Sequence, residues 1–216
     1  MKGYRISVLR HGITEANEQG LYIGRTDLPL TAKGAAELAG KMDEFDYPTV
    51  QRVYSSPLLR CTETAEILFP ETELVPVEEM RELDLGKFEN KRYDELIGRD
   101  EYREWMSGGR DSRPPGGESL NEMTARIYTG IHKIIIDMME SGITRAALVT
   151  HGGIITNLLT GFGIPKYDPK YLNAKPGEGF DIMVTAQMWL SSQAFEIMGY
   201  CPYDRIDDPD DDGWAV

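Results

Sequence analysis

The chain has 216 residues, 41% of them hydrophobic, and a formal net charge of −13. This length suits one domain with a substantial core, and the negative charge disfavours binding to nucleic acid or to an anionic membrane. With only Cys61 and Cys201 as cysteines and no apolar run near the roughly 18 residues of a membrane span, we expect a cytoplasmic protein.

Apolar residues recur with strand and helix periods in alternation along the chain. In chain order the pattern predicts a strand at 4–9, a helix over 31–43 with Thr31 as its N-cap, a strand at 52–55, a helix over 56–68, a strand at 74–77, a helix that starts at the capping box of Ser119 and is closed by Gly142, a strand at 146–149, a helix over 153–162, and terminal strands at 181–185 and 195–198. Such alternation predicts a single α/β domain, residues 1–216, with a mainly parallel sheet. An acidic tail would occupy about 204–216.

Polar clusters follow four of the predicted strands. Ligands of open α/β sheets bind at the carboxyl ends of the strands, so side chains placed there converge although they lie far apart in sequence. The convergent set comprises two histidines, two or more arginines and a glutamate: Arg10 and His11, Arg60, Arg81 and Glu82, and His151.

This combination suits the transfer of a phosphoryl group. Arg10 and Arg60 supply permanently charged planar donors for the phosphate oxygens. Their charge disfavours protonation of His11 and keeps a lone pair of its imidazole available for attack. Glu82 could donate a proton to the leaving alkoxide if its pKa were raised.

Ordered blocks of sequence give a specific resemblance. They are 9–17 (LRHGITEAN), 24–34 (GRTDLPLTAKG), 55–66 (SSPLLRCTETAE), 81–89 (RELDLGKFE), 116–119 (GGES) and 150–153 (THGG). Together they resemble the phosphoglycerate mutase-like branch of the histidine phosphatase superfamily, over residues 4 to 160.

The resemblance implies a fold, a reaction and roles for individual residues. The fold would be a six-stranded, mostly parallel α/β sheet. His11 would become phosphohistidine, Arg10, Arg60, His151 and Asn17 would bind the phosphate, and Glu82 would act as general acid and then as base. The substrate would be a small phosphorylated metabolite, and no metal ion or cofactor would be needed.

Departures from the family pattern bear on the activity. Asn90 stands where the third block usually has glycine, and Arg103, Arg110 and Arg113 are separated where the mutase branch has an adjacent arginine pair. The second departure favours a phosphatase over a phosphoglycerate mutase, and residues 17–24 resemble the α-ribazole phosphatase branch. A mutase and a non-catalytic module that binds phosphorylated ligands remain the alternatives.

Several other signals have simpler interpretations. We interpret His132 as a solvated residue of a helix face and Cys61 as a small buried hydrophobe. The P-loop-like run at 34–41 has the wrong spacing, and residues 208–213 match only half of a calcium loop. Glu15, Glu89 and Glu118 compete with Glu82 for the acid role.

Two segments are left for substrate specificity. The basic residues between the third block and the long helix could bind a second anionic group, although solvated surface is the default; they are Lys87, Lys91, Arg92, Arg99, Arg103, Arg110 and Arg113. The segment 165–179 is predicted to cap the site.

Overall fold

A computed structural model describes residues 2–205 of the chain. In this part, eleven strands and eight α-helices occur, with 3-10 turns at Glu78–Met80, Gly86–Phe88 and Pro169–Tyr171. In chain order they are β1 (Gly3–Arg10), α1 (Glu15–Gln19), β2 (Leu21–Tyr22), α2 (Ala32–Glu44), β3 (Phe45–Asp46), β4 (Arg52–Ser55), α3 (Leu59–Leu68), β5 (Leu74–Pro76), β6 (Lys91–Arg92), α4 (Tyr93–Leu96), α5 (Asp100–Ser107), α6 (Leu120–Glu140), β7 (Arg145–Thr150), α7 (Gly152–Phe162), β8 (Gly163–Ile164), β9 (Gly179–Thr185), α8 (Ala186–Ser192), β10 (Phe195–Cys201) and β11 (Tyr203–Asp204).

Seven strands form the central sheet, in the order β5-β4-β7-β1-β9-β10-β8. The four strands from β5 to β1 are parallel, whereas β9 runs antiparallel to both β1 and β10. The predicted α/β fold with a mostly parallel sheet is therefore confirmed. The seventh strand, β8, was not expected; its two residues pair with Phe195 and Glu196 and are too few to show a periodicity.

Helices cover both faces of the sheet, and β7 shows why. Its residues alternate between two cores: Ala146 and Leu148 pack with α6 and α7, and Ala147 and Val149 pack with α2 and α3. A strand buried on both faces needs apolar residues there, and residues 146–149 of β7 are apolar. At its ends, Arg145 is exposed and buried Thr150 donates its hydroxyl to the carbonyl of Met80. A third, smaller cluster of Leu85, Phe88, Leu96 and Tyr102 lies in the segment between β5 and α6.

Helix caps explain where the helices begin. Thr31 and Ser119 cap α2 and α6 through their side chains, and Gly142 follows α6 with a positive φ of 72°, all as predicted. The helix predicted to start at Ser56 starts instead at Leu59, because the backbone of Leu58 is extended, with a ψ of 138°. The carbonyl of Leu58 is the first to accept a helical hydrogen bond, from Thr62. The N–H of Leu59 donates to the carboxylate of Asp27, 2.7 Å away.

Two expectations about single residues have clear outcomes. The prediction that His132 is solvated is wrong, because its Nδ1 accepts a hydrogen bond of 2.9 Å from the indole of Trp189 in α8, a helix that we did not predict. Asn90 adopts a φ of 59°, so the residue that replaces the usual glycine occupies the left-handed region that asparagine tolerates. The half calcium loop at 208–213 and most of the acidic tail lie outside the described residues.

Candidate active site

A cleft of about 420 Å³ opens at the carboxyl ends of β1, β4 and β7. Five of the six candidate site residues line it, namely Arg10, His11, Asn17, Arg60 and Glu82, together with Thr14, Ile23, Gly152, Gly153, Thr156, Asn157 and Asn173. The sixth, His151, is fully buried beside the cleft, with its ring centroid 5.2 Å from that of His11. The structure thus brings together all six side chains, which the sequence places up to 141 positions apart.

His11 is held in one tautomer. Its Nδ1 lies 2.6 Å from the carbonyl oxygen of Gly12, which can only accept, so Nδ1 carries the proton and Nε2 carries the lone pair. The N–H of Gly12 donates in turn to Thr64 Oγ1. Burial lowers the pKa of His11 to about 3, and the positive charges of Arg60 and Arg10 act in the same direction. The imidazole is therefore neutral at physiological pH.

Arg60 is fixed by the backbone of the loop before α2. It is 1% exposed, and its two terminal nitrogens donate to the carbonyls of Thr26 and Gly24, 2.9 and 2.8 Å away. The N–H groups of Gly24, Arg25 and Thr26 donate to the carboxylate of Glu89 on the other side of the loop. The loop is therefore held between one carboxylate and one guanidinium.

Arg10 is anchored through one nitrogen and keeps a second, buried nitrogen without a partner in the described part of the chain. Nη1 donates to the carbonyl of Ala174, 3.0 Å away, whereas Nε is buried and has no hydrogen-bond partner within residues 2–205. A buried unpaired donor costs free energy, so an anion at this place would be stabilised. Asn173 lines the same cleft, so part of the segment 165–179 lies at the site, as predicted.

Asn17 presents its amide nitrogen to the cleft side of α1. Its Oδ1 accepts hydrogen bonds from the backbone N–H and the hydroxyl of Thr14, at 3.0 and 3.1 Å. Both groups are donors, so the oxygen is committed to them and Nδ2 stays without a partner among the described residues. Asn17 therefore offers a donor, as the binding of a phosphate oxygen requires.

Glu82 is held at the N-terminus of α7. Its carboxylate accepts from the N–H groups of Leu83 and Gly153, at 2.9 and 3.1 Å. Burial raises the pKa of Glu82, and these two N–H groups and Arg60 oppose that shift only in part. A Cβ at Gly153 would lie 2.6 Å from Glu82 Oε1, so only glycine leaves room for the carboxylate.

Arg126, in α6, organises the loop that carries Glu82. Its guanidinium donates to the carbonyls of Glu79, Arg81 and Glu82 and pairs with the carboxylate of Glu118. The sequence analysis missed this residue, because one arginine on a long amphipathic helix has no local signal that separates it from surface arginines.

The competing acids have other partners. Glu89 binds the loop at 24–26 and Glu118 binds Arg126, and these contacts lower the pKa of both carboxyls. Glu15 is exposed and accepts a hydrogen bond from Gln19.

Cys61 is fully buried, as expected, and burial raises the pKa of its thiol. Its Sγ lies 3.5 Å from Nε2 of His151, and the same Nε2 lies 2.9 Å from Ser56 Oγ.

The seven basic residues of 87–113 do not line the cleft. Three of them pair with carboxylates elsewhere: Lys91 with Glu95, Arg103 with Asp100, and Arg113 with Glu122.

Within residues 2–205, His, Cys, Asp and Glu side chains form no group of three or more that could hold a metal ion. No helix in this range is both long and apolar enough to cross a membrane.

Together, fold and site define an α/β protein with a cleft lined by a neutral imidazole and two guanidinium groups. A family model described as the histidine phosphatase superfamily (branch 1) matches residues 6–177, and the chain belongs to that superfamily.

Named relatives fall into two groups. "Probable phosphoglycerate mutase GpmB" of Salmonella choleraesuis is 29% identical over 193 residues, which cover 87% of this chain and 88% of the relative. The phosphoglycerate mutase of Thermus thermophilus has a TM-score of 0.64 at 27% identity and covers 93% of this chain and 99% of its own. The α-ribazole phosphatase of Shigella flexneri has a TM-score of 0.78 at 20% identity, and the match covers 94% of this chain and 100% of that protein. At this identity the similarity shows a shared fold.

Proposed function

We propose that the protein is a metal-independent phosphatase that hydrolyses a small phosphomonoester through a phosphohistidine on His11. The observation that carries this proposal is the tautomer of His11: Nδ1 is bound to the Gly12 carbonyl, which leaves the lone pair of Nε2 on a neutral ring beside Arg10 and Arg60. A neutral imidazole beside two guanidinium groups is prepared to attack a phosphorus atom whose oxygens those groups bind.

In the first step, Nε2 of His11 bonds to phosphorus and the bond from phosphorus to the ester oxygen breaks. Arg10, Arg60 and the amide of Asn17 hold the three equatorial oxygens, and buried His151 supports the ring of His11 from the side. Glu82, whose pKa is raised by burial, gives a proton from its acid form to the departing alkoxide, so that a neutral alcohol leaves.

In the second step, water attacks the phosphorus of the phosphohistidine. Glu82, now ionised, takes a proton from that water, and the bond between phosphorus and Nε2 breaks. Inorganic phosphate leaves, and both His11 and Glu82 regain their starting protonation states. No step needs a metal ion or a cofactor.

The phosphoglycerate mutases among the relatives favour a second candidate, the transfer of the phosphoryl group between hydroxyls of phosphoglycerate. Both activities use the same first step, and they differ in whether water or a second hydroxyl takes the phosphoryl group from His11. A mutase depends on a bisphosphate primer, whereas a phosphatase releases inorganic phosphate without one.

The test is phosphate release in excess chelator from an aryl phosphate, 3-phosphoglycerate, fructose 2,6-bisphosphate and α-ribazole phosphate, with the native protein and His11→Ala. We expect chelator-resistant release that the substitution abolishes. Release that survives His11→Ala would remove the proposed nucleophile. Interconversion of phosphoglycerates that requires the primer, without net release, would assign the mutase activity instead.

A further inference from the structure

The lining of the cleft is of two chemical kinds. Arg10, His11 and Arg60 are the residues assigned to the phosphate. The other lining residues are neutral apart from Glu82, and their polar side chains, besides those of Thr14 and Asn17, belong to Thr156, Asn157 and Asn173. Within the described residues, no lysine and no third arginine lines the cleft.

Two of these neutral side chains have acceptor atoms to spare. Asn157 donates through Nδ2 to the carbonyl of Gly153, 2.9 Å away, which leaves its Oδ1 without a partner in the described residues. Thr156 donates its hydroxyl hydrogen to the carbonyl of Leu172, 3.2 Å away, which leaves the lone pairs of Oγ1. Both residues lie on the first turns of α7, one turn beyond Gly153 and Glu82.

Free acceptors at this place select for donors. A hydroxyl group of a substrate can donate to Asn157 Oδ1 or Thr156 Oγ1, whereas a carboxylate or a second phosphate has only acceptor atoms and a negative charge. Burying an anionic group against unpaired acceptors leaves it without compensation, which costs free energy.

The charges in the cleft match one phosphate. A phosphomonoester dianion carries two negative charges, and Arg10 and Arg60 carry two positive charges. Two arginines of neighbouring loops, Arg25 and Arg81, do not line the cleft. Arg25 lies 3.5 Å from Glu118 and Arg81 pairs with Glu78, although the Nε of each is buried without a partner within residues 2–205. A second anionic group on the substrate would find no further cation on the cleft wall, as far as residues 2–205 form it.

From these observations we infer that the substrate is the monophosphate of an uncharged, hydroxylated alcohol of the polyol or sugar class, with its hydroxyl groups bound by Thr156 and Asn157. This inference rests on the proposed phosphatase function and names the substrate class of the same site.

Three alkyl phosphates test the inference. Glycerol 3-phosphate and 3-phosphoglycerate differ in a hydroxymethyl group against a carboxylate, and ethyl phosphate has no hydroxyl group. We expect kcat/KM for glycerol 3-phosphate to exceed that for 3-phosphoglycerate by about tenfold or more, the size of one unmade hydrogen bond.

Substitutions locate the recognition. Asn157→Leu and Thr156→Val keep the side-chain volume and remove the acceptors, so each should lower the ratio of kcat/KM for glycerol 3-phosphate to that for ethyl phosphate, by about three- to tenfold. A ratio measured within one variant is independent of how much of that variant is folded. Thr160→Val, the same change one turn further along α7 and outside the cleft lining, should leave the ratio at its native value.

The outcomes separate the two proposals. Turnover of ethyl phosphate with equal or better turnover of 3-phosphoglycerate would overturn the substrate class and leave the phosphatase in place. Equal ratios in Thr156→Val, Asn157→Leu and Thr160→Val would overturn the role of the α7 acceptors. No phosphate release from any ester would overturn both proposals.

Discussion

The rings of His11 and His151 stand edge to face, with centroids 5.2 Å apart and planes inclined by 64°. Both rings are buried, and burial together with the positive charges of Arg60 and Arg10 lowers the pKa of each from its ordinary value. A proton on His11 would lower the pKa of His151 further. The pair is therefore stable as two neutral rings, which is the state that a nitrogen nucleophile requires.

This pairing makes stability depend on pH in a predictable direction. Between a folded pKa of about 3 and the ordinary value of 6.5, the unfolded chain binds a proton at His11 that the folded chain does not. Stability therefore rises with pH across this window, by up to about 1.4 kcal/mol per pH unit from His11 alone. The free energy of unfolding, measured in urea between about pH 4 and pH 6, should therefore rise less steeply with pH in His11→Asn than in the native protein. Thr160→Val, which changes no titratable group, should keep the native slope; an unchanged slope in His11→Asn would contradict the prediction.

The general acid is tested by the quality of the leaving group. We expect Glu82→Gln to lower kcat for an alkyl phosphate about 10²- to 10⁴-fold, because the alkoxide then leaves without a proton. The loss should be much smaller for 4-nitrophenyl phosphate, whose phenolate leaves readily. Native kcat/KM should fall as the pH rises through the raised pKa of Glu82, because the acid form is lost, and this limb should vanish in the variant. Equal losses for both esters would exclude the assignment.

Arg126 is expected to act through Glu82. Arg126→Met removes the donors to the carbonyls of Glu79, Arg81 and Glu82, so the loop that carries the acid loses its anchor. The loss of kcat should again be larger for an alkyl phosphate than for 4-nitrophenyl phosphate, as with Glu82→Gln but weaker. A loss that is the same for both esters would point to a general structural effect of the substitution.

Asn90 allows a prediction about the free energy of unfolding that does not depend on catalytic activity. Because its φ is 59°, Asn90→Ala should have a free energy of unfolding about 1 kcal/mol lower than that of Asn90→Gly, the cost of a Cβ in the left-handed region without a compensating polar side chain. Asn90→Gly is the matched control, because both variants lose the 3.3 Å hydrogen bond from Asn90 Nδ2 to Thr26 Oγ1 and glycine adopts this φ readily. Urea unfolding of the two variants measures the difference, and equal stability of the alanine and glycine variants would refute the explanation.

Local signals account for what could be predicted from the sequence. The helix α6 has a capping box at Ser119, apolar residues at helical spacing and a glycine after its end, and residues 146–149 of β7 are an unbroken apolar run. Neither needs information from distant parts of the chain. The convergence of Arg10, Arg60, Glu82 and His151 likewise follows from their places after strands of one parallel sheet.

What could not be predicted depends on tertiary contacts. The hydrogen bond between His132 and Trp189 joins residues 57 positions apart, and the role of Arg126 depends on backbone carbonyls 44 to 47 positions away. The start of α3 at Leu59 depends on Asp27, which lies in another loop. The free Oδ1 of Asn157 likewise depends on the folded helix, in which the amide nitrogen of Asn157 donates to the carbonyl of Gly153.

The loop at 24–26, which contacts both Glu89 and Arg60, makes these contacts through backbone atoms rather than through side chains, apart from the hydroxyl of Thr26. Arg60 is held by the carbonyls of Gly24 and Thr26, and Glu89 accepts from the N–H of Arg25 between them. Position 25 therefore contributes to this arrangement through a backbone N–H that every amino acid except proline has. Related chains could then vary residue 25 while the guanidinium of Arg60 keeps its place. A position that looks unconstrained in a comparison of sequences would in this case belong to the loop that holds a site arginine.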